Sequence, residues 1–382
     1  MLLSGLSLGL PFASAWLAAQ NPTQPGAVAP KYRTHFLIYD VQKKTTTTLF
    51  TIEGEWHAPN WTPDGKYIVS DMGGDLYRIP VIGANRGKPD KINVSQKTMA
   101  TNDHALSWDG KQIAITGITP PMPAKIRTPA DIHNPILIMN MDGSTAHEVH
   151  LGWLHGWSPD GKYIVYTQYH EDNFDIYRIK SDGSGELLMT TNKGQDDGPE
   201  YSADGKWVYF CSNRSGKWDG WRMPADGAGP GDKLAEKITN GGDTQDWFPH
   251  ISPDGKWLYT ISYPMDHPDH SYIGDGMKIK LLSLENGVGA KGAELTTVRT
   301  FFGGHRQYRR LVAGFEELCL DRVRDDSGTG EVNPPPWGGT DPRVTAYCLP
   351  SLVVTLQCRW VNGCRLPAGH RMRAVLWWSV SE

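Results

Sequence analysis

Little in this chain of 382 residues is weighted to one sign of charge: 38 Lys and Arg stand against 42 Asp and Glu, a net charge of -4, and no basic run occurs. That balance excludes an electrostatic footprint for nucleic acid or for an anionic membrane surface. Beyond the first 20 residues there is no apolar stretch long enough to span a bilayer. No phosphate-binding loop, dinucleotide fingerprint or His-Glu-x-x-His helix occurs, and past the same point no Gly-x-Ser-x-Gly elbow, so the sequence displays no self-contained catalytic domain. Cysteine is also scarce before Gly304, where only Cys211 is found, inside a strand-like run that marks it as a small buried residue.

What is present points to β-structure. There are 42 Gly, 27 Pro and 15 Trp, a profile of many turns and aromatic packing, and 39% hydrophobic residues suffice for a core. Residues 1–20 are largely apolar, and Ala13-Ser14-Ala15 supplies the small-x-small pattern of a signal-peptidase site. Export to the periplasm or out of the cell is the expectation. The absence of Lys and Arg from the leader keeps a short buried or anchoring segment as the alternative. Residues 21–33 read as a Pro-rich linker, and the mature chain is expected to carry no membrane span.

The strongest signal is a repeat. A turn phrase recurs five times, centred on Asp64-Gly65-Lys66, Asp109-Gly110-Lys111, Asp160-Gly161-Lys162, Asp204-Gly205-Lys206 and Asp254-Gly255-Lys256, each preceded two residues earlier by Ser or Thr. The spacings of 45, 51, 44 and 50 residues are those of propeller blades. Chemically each phrase suits a hairpin turn, because Asp bonds nearby backbone and Gly accepts positive φ. Alternating strands such as Tyr163-Ile164-Val165-Tyr166 and Trp207-Val208-Tyr209-Phe210 follow, and Trp61, Trp157, Trp207 and Trp257 are expected to pack between blades.

The Ser-Pro-Asp-Gly-Lys phrase followed by a strand like Phe174-Asp175-Ile176-Tyr177-Arg178 resembles the repeat of TolB-type propellers, and residues 34–304 fit it. The resemblance implies an all-β, six-bladed propeller of four-stranded antiparallel blades. It does not extend to an α/β domain ahead of the propeller, so the TolB role with envelope partners is not implied. A binding scaffold for a protein, peptide or glycan is the expectation, rather than an enzyme.

The strands near His35–Asp40 and Thr47–Phe50 read as the outer half of a closing blade whose inner strands come from the C-terminal end. A sixth turn phrase is due after Gly304 and is missing. Residues 305–382 instead hold ten Arg, no Lys and Cys319, Cys348, Cys358 and Cys364. Read one base later from His305, the permitted codons allow Thr-Gly-Asn-Ile-Asp-Val-Trp-Ser-Pro-Asp-Ser-Lys-Asn-Phe-Ala, which restores the missing turn. The tail is therefore expected to be an out-of-frame product that leaves the closing blade incomplete. A divergent extension is the alternative, and there four cysteines in an exported segment would pair.

Inner strands line a propeller's channel, and the positions ahead of each turn carry His57 and Asn60, Asp103 and His104, His155, Asp197 and Glu200, and Asp246 with His250. His104, His155, Glu200 and His250 form a donor set suited to Mn or Zn, with Asp103 and Asp197 as further channel ligands. Hydrogen bonding between blades, with no ligand, is the alternative for the same residues. The His-rich strands are similar in kind to those of oligogalacturonate lyases, which implies a metal-dependent carbohydrate enzyme as the rival reading. His267, Asp269 and His270 form a second cluster, read as a solvated loop or a ligand contact.

Overall fold

A computed structural model describes residues 32–40, 45–119, 133–239, 242–266, 278–284, 297–301 and 373–381. Each of the five turn phrases closes a hairpin by the same hydrogen bonds. In the third copy Ser158 Oγ donates to Asp160 Oδ1 at 2.6 Å, and the Lys162 N–H donates to the same oxygen at 3.1 Å. The Tyr163 N–H then donates to Ser158 Oγ at 2.9 Å. Gly161 sits at φ 71°, a left-handed conformation that costs a side-chain-bearing residue about 1–2 kcal/mol. Thr62 with Asp64, Ser107 with Asp109, Ser202 with Asp204 and Ser252 with Asp254 repeat the hydroxyl-to-carboxylate bond at 2.6–2.8 Å.

The order of strands follows from those hairpins. Two N-terminal strands, β1 (Tyr32–Asp40) and β2 (Thr45–Glu53), pair antiparallel. The first complete blade is β3 (His57–Trp61), β4 (Tyr67–Met72), β5 (Asp75–Pro80) and β6 (Asp90–Lys91). The second is β7 (Met99–Leu106), β8 (Gln112–Ile118), β9 (Pro135–Asn140) and β10 (His147–Leu151). The third is β11 (Trp153–Trp157), β12 (Tyr163–His170), β13 (Asn173–Lys180) and β14 (Leu187–Leu188). The fourth is β15 (Asp196–Tyr201), β16 (Trp207–Ser212), β17 (Asp219–Pro224) and β18 (Glu236–Lys237). The fifth is β19 (Thr244–Ile251), β20 (Trp257–Pro264), β21 (Lys278–Ser283) and β22 (Thr297–Phe301). Five four-stranded sheets and a shorter sixth make the expected propeller with an incomplete closing blade.

The sixth sheet has the order β2-β1-β23, where β23 (Arg373–Ser381) pairs antiparallel with β1 from Tyr32↔Ser381 to Asp40↔Arg373. One segment of the C-terminal tail therefore joins the outer strands read from the sequence. Residues 302–372, with the due sixth turn and the four tail cysteines, lie outside the described residues, as do the leader, most of the linker and His267, Asp269 and His270.

Period-two alternation explains how blades pack. Along β12, Ile164 and Tyr166 face the second blade in a cluster with Ala105, Ile136 and Leu154, whereas Val165 faces the fourth with Phe210 and Met223. Each buried Ile or Val in these interfaces is worth about 1.5–3 kcal/mol. Trp157 is buried between the second and third blades and its indole N–H donates to the Ala105 carbonyl at 3.2 Å, as the sequence led one to expect. Trp61 and Trp207 pack from half-buried positions at other interfaces. Cys211 is fully buried, and burial first, then the Asp197 charge, pushes its thiol pKa well up, so it is a core residue rather than a nucleophile.

A buried ion cluster joins the third and fourth blades. Arg214 Nη2 bonds both oxygens of Asp196 at 2.9 and 2.8 Å and lies 3.2 Å from Asp232. Asp232 in turn accepts from Thr191 and Asn192. Among the described residues no helix is long and apolar enough to cross a membrane.

Candidate functional site

Each of the five inner strands among the described residues is bulged, and the bulges decide which side chains reach the axis. The pairing register shifts between His57 and Asn60, Ala100 and His104, Leu154 and Gly156, Asp197 and Glu200, and Trp247 and His250. An extra residue bends a strand and re-aims its neighbours. In three blades the bulge residue precedes proline and has positive φ: Ala58 at 45°, Gly198 at 63° and Phe248 at 50°. Proline there gives up no ladder hydrogen bond that the bulge had not already broken. Gly198 takes this conformation without strain. Ala58 and Phe248 take it at a cost of order 1–3 kcal/mol, which the surrounding packing must over-determine.

The bulges lie within the inner strands, ahead of the five Asp-Gly turns, and around them the polar residues gather in pairs, three of which cross blade boundaries. His57 Nδ1 lies 3.2 Å from Asp71 Oδ2 and its Nε2 lies 3.6 Å from Glu55. Burial opposes a charge on His57, but Asp71 and Glu55 outweigh it and raise its pKa to about 10. His104, from the next blade, is buried with Nδ1 3.9 Å from Asp71 Oδ1, and its carbonyl accepts from Asn60 Nδ2 at 3.1 Å. His155 Nε2 lies 3.1 Å from Asp197 Oδ1, which also accepts from Thr167 Oγ1 and the Gly198 N–H. His250 Nδ1 contacts Glu200 Oε2, and its ring stacks on Tyr259.

Asp103 marks the axis. Although it sits on the second blade, its carboxyl senses Asp71 of the first, His155 of the third and Asp197 of the fourth. Burial foremost raises its pKa to about 6, His155 opposes the rise, and Asp197 and Asp71 add to it. Phe248 from the fifth blade stacks on His155 with ring centroids 6.1 Å apart. It passes over Gly198 so closely that a Cβ there would meet its Cδ1 at 2.5 Å. The throat is thus lined by Asp103, His155, Asp197 and Phe248, with Asp71 and His57 behind them.

Of the six residues chosen from sequence, Asp103, His155 and Asp197 come together. Glu200 and His250 form a separate pair, and His104 is withdrawn into the boundary of the first two blades. The four-residue Mn or Zn set is thereby divided among three ion pairs. Among the described residues no group of three His, Cys, Asp or Glu is placed to hold a metal ion, so the donor set does not fit such a cofactor. Asp246 is also not a channel ligand, since its Oδ1 accepts from Ser262 Oγ at 2.6 Å and Lys280 Nζ at 3.0 Å. Sequence reasoning missed Asp71 and Phe248. The available signal for Phe248 was the parallel between Asp197-Gly198-Pro199-Glu200 and Trp247-Phe248-Pro249-His250, which puts Phe where Gly stands one blade earlier.

Comparison with known proteins places this architecture. The TolB β-propeller domain family matches residues 153–272. An uncharacterised protein of Agrobacterium fabrum is 32% identical over 285 residues, covering 74% of this chain and 88% of its own. A solved TolB-type structure from Agrobacterium tumefaciens, also 32% identical, superposes with a TM-score of 0.60 over 72% of this chain and 91% of its own. An oligogalacturonate lyase in complex with manganese reaches only 11% identity and a TM-score of 0.47, over 90% of this chain and 82% of its own, too distant to carry an argument about activity. By its five in-phase blades and by this identity over most of its length, the chain belongs to the TolB-like β-propeller family.

Proposed function

We propose that this protein is an exported, non-catalytic scaffold that binds a peptide segment of a partner protein in the central channel lined by the inner strands. The observation that carries the reading is the half-buried throat of Asp103, His155, Asp197 and Phe248, to which three adjacent blades and a fourth beyond them contribute. Strained backbone at Phe248 and a bulge in each of the five described inner strands lie beside that throat. Such outliers collect where side chains are held for a ligand. Export rests on the apolar leader and its Ala13-Ser14-Ala15 site.

The test is to probe immobilised protein with a displayed library of random heptapeptides and with a glycan array. Peptides retained by the native chain and released by Phe248→Ala support the reading. Retention of glycans alone, or of nothing, refutes it.

A further inference from the structure

Resting on that peptide reading, we infer that the throat recognises a basic side chain, a lysine ammonium or an arginine guanidinium, on the bound segment. The first reason is a concentration of carboxylates. Asp103 lies within the fields of Asp71 and Asp197, and Glu200 lies in the next blade pair. Of the histidines near them, His57 is held protonated, and it spends that charge on Oδ2 of Asp71.

The second reason is independent of charge counting. Asp71 is 4% exposed, yet its Oδ1 has no hydrogen bond among the described residues, and His104 Nδ1 at 3.9 Å is too far to supply one. A buried carboxylate oxygen left without a donor costs about 1–3 kcal/mol or more, and a ligand bringing several N–H donors removes that cost. The third reason is the half-exposed Phe248 ring, which lies against His155 and over Gly198 next to Asp197, since a cation gains from an aromatic face as well as from an anion.

Anionic ligands are repelled by the same carboxylates. A metal ion finds no chelating group among the described residues, where the acids and histidines are dispersed in pairs. A long, multi-donor organic cation meets dispersed acceptors better than a point ion does, and a side chain on a flexible stem reaches down from the mouth.

The experiment pans a random heptapeptide display library on the native protein, then measures selected synthetic peptides by fluorescence anisotropy. Enrichment of Lys or Arg at one fixed position is expected. Replacing that residue by Gln in the peptide should weaken binding about tenfold, as should Asp103→Asn in the protein, with the melting temperature held or raised. Binding should also weaken as pH falls from 7 to 5, as Asp103 takes up its proton. Enriched peptides without a basic residue, or binding indifferent to the Gln replacement, overturn the cation inference and leave the peptide reading standing. No enrichment overturns both. If Asp103→Asn does not fold, the peptide-side replacement decides alone.

Discussion

Gly198→Ala isolates the device that sets the throat. Gly198 has φ +63°, and an alanine Cβ would meet Phe248 Cδ1 at 2.5 Å and Cε1 at 3.1 Å. The left-handed backbone costs alanine about 1–2 kcal/mol. Forcing an extra methyl against the ring adds about 1–3 kcal/mol. Lower entropy of the unfolded chain returns about 0.4–1 kcal/mol. The net is a loss of about 3 kcal/mol, or a fall of about 5 °C in Tm for a domain of this size. Urea unfolding followed by tryptophan fluorescence measures it. The decisive comparison is the same substitution in a Phe248→Ala background, where the ring is gone and only the backbone penalty of about 1 kcal/mol should remain. A coupling near 2 kcal/mol is expected. Additivity within about 0.5 kcal/mol would refute the claim that Gly198 is kept bare to let Phe248 cross the channel.

Stability should peak between about pH 4 and pH 6 in chemical denaturation. The carboxyls of Asp64, Asp109, Asp160 and Asp204 are held below the ordinary value chiefly by the turn hydroxyls and the Lys N–H groups, with burial opposing them. The stability they give is present above about pH 4 and is lost as pH falls through their folded values. Asp175, raised to about 7 by burial and then by Asp196 and Asp232, and Asp103, raised to about 6, act oppositely: the fold gains as they protonate below those values. His57 adds stability that is complete below its ordinary 6.5 and is lost as pH rises through about 10. A profile still rising from pH 6 to 8 would contradict these signs. Arg214→Leu should cost about 3–5 kcal/mol, because it leaves the fully buried Asp196 and its neighbour Asp232 without their cation; a loss under about 1 kcal/mol in urea melts would refute that. The out-of-frame reading of residues 305–382 predicts a one-base difference in the source gene and a higher Tm for the frame-restored chain, and an intact frame in independent clones would end it.

The parts of the fold legible in the sequence are those held by local bonds. Ser158, Asp160, Gly161 and Lys162 lie within five residues, so their turn is written in one phrase and recurs wherever the phrase does. Ile164, Val165 and Tyr166 announce their two faces by alternation alone. The throat was only partly legible, because a bulge reverses facing without leaving a compositional mark when Ala58 or Phe248 occupies the place of Gly198. For this reason His104 and His155, both three residues ahead of their turn serines, end in different surroundings, one enclosed against Asp71 and the other facing Phe248. Asp71 escaped notice because it lies on a second strand and reaches the axis only through its pairing with His57.

The stack of Phe248 on His155 spans from the fifth blade to the third and leaves the fourth beneath it. Mechanically it acts as a strut laid across one arc of a ring. A loosening of that contact should then be felt in the third and the fifth blade alike, as faster exchange with solvent of the amides near His155 and Phe248. A partner seated against that strut would feel the stiffness of half the ring rather than of a single sheet.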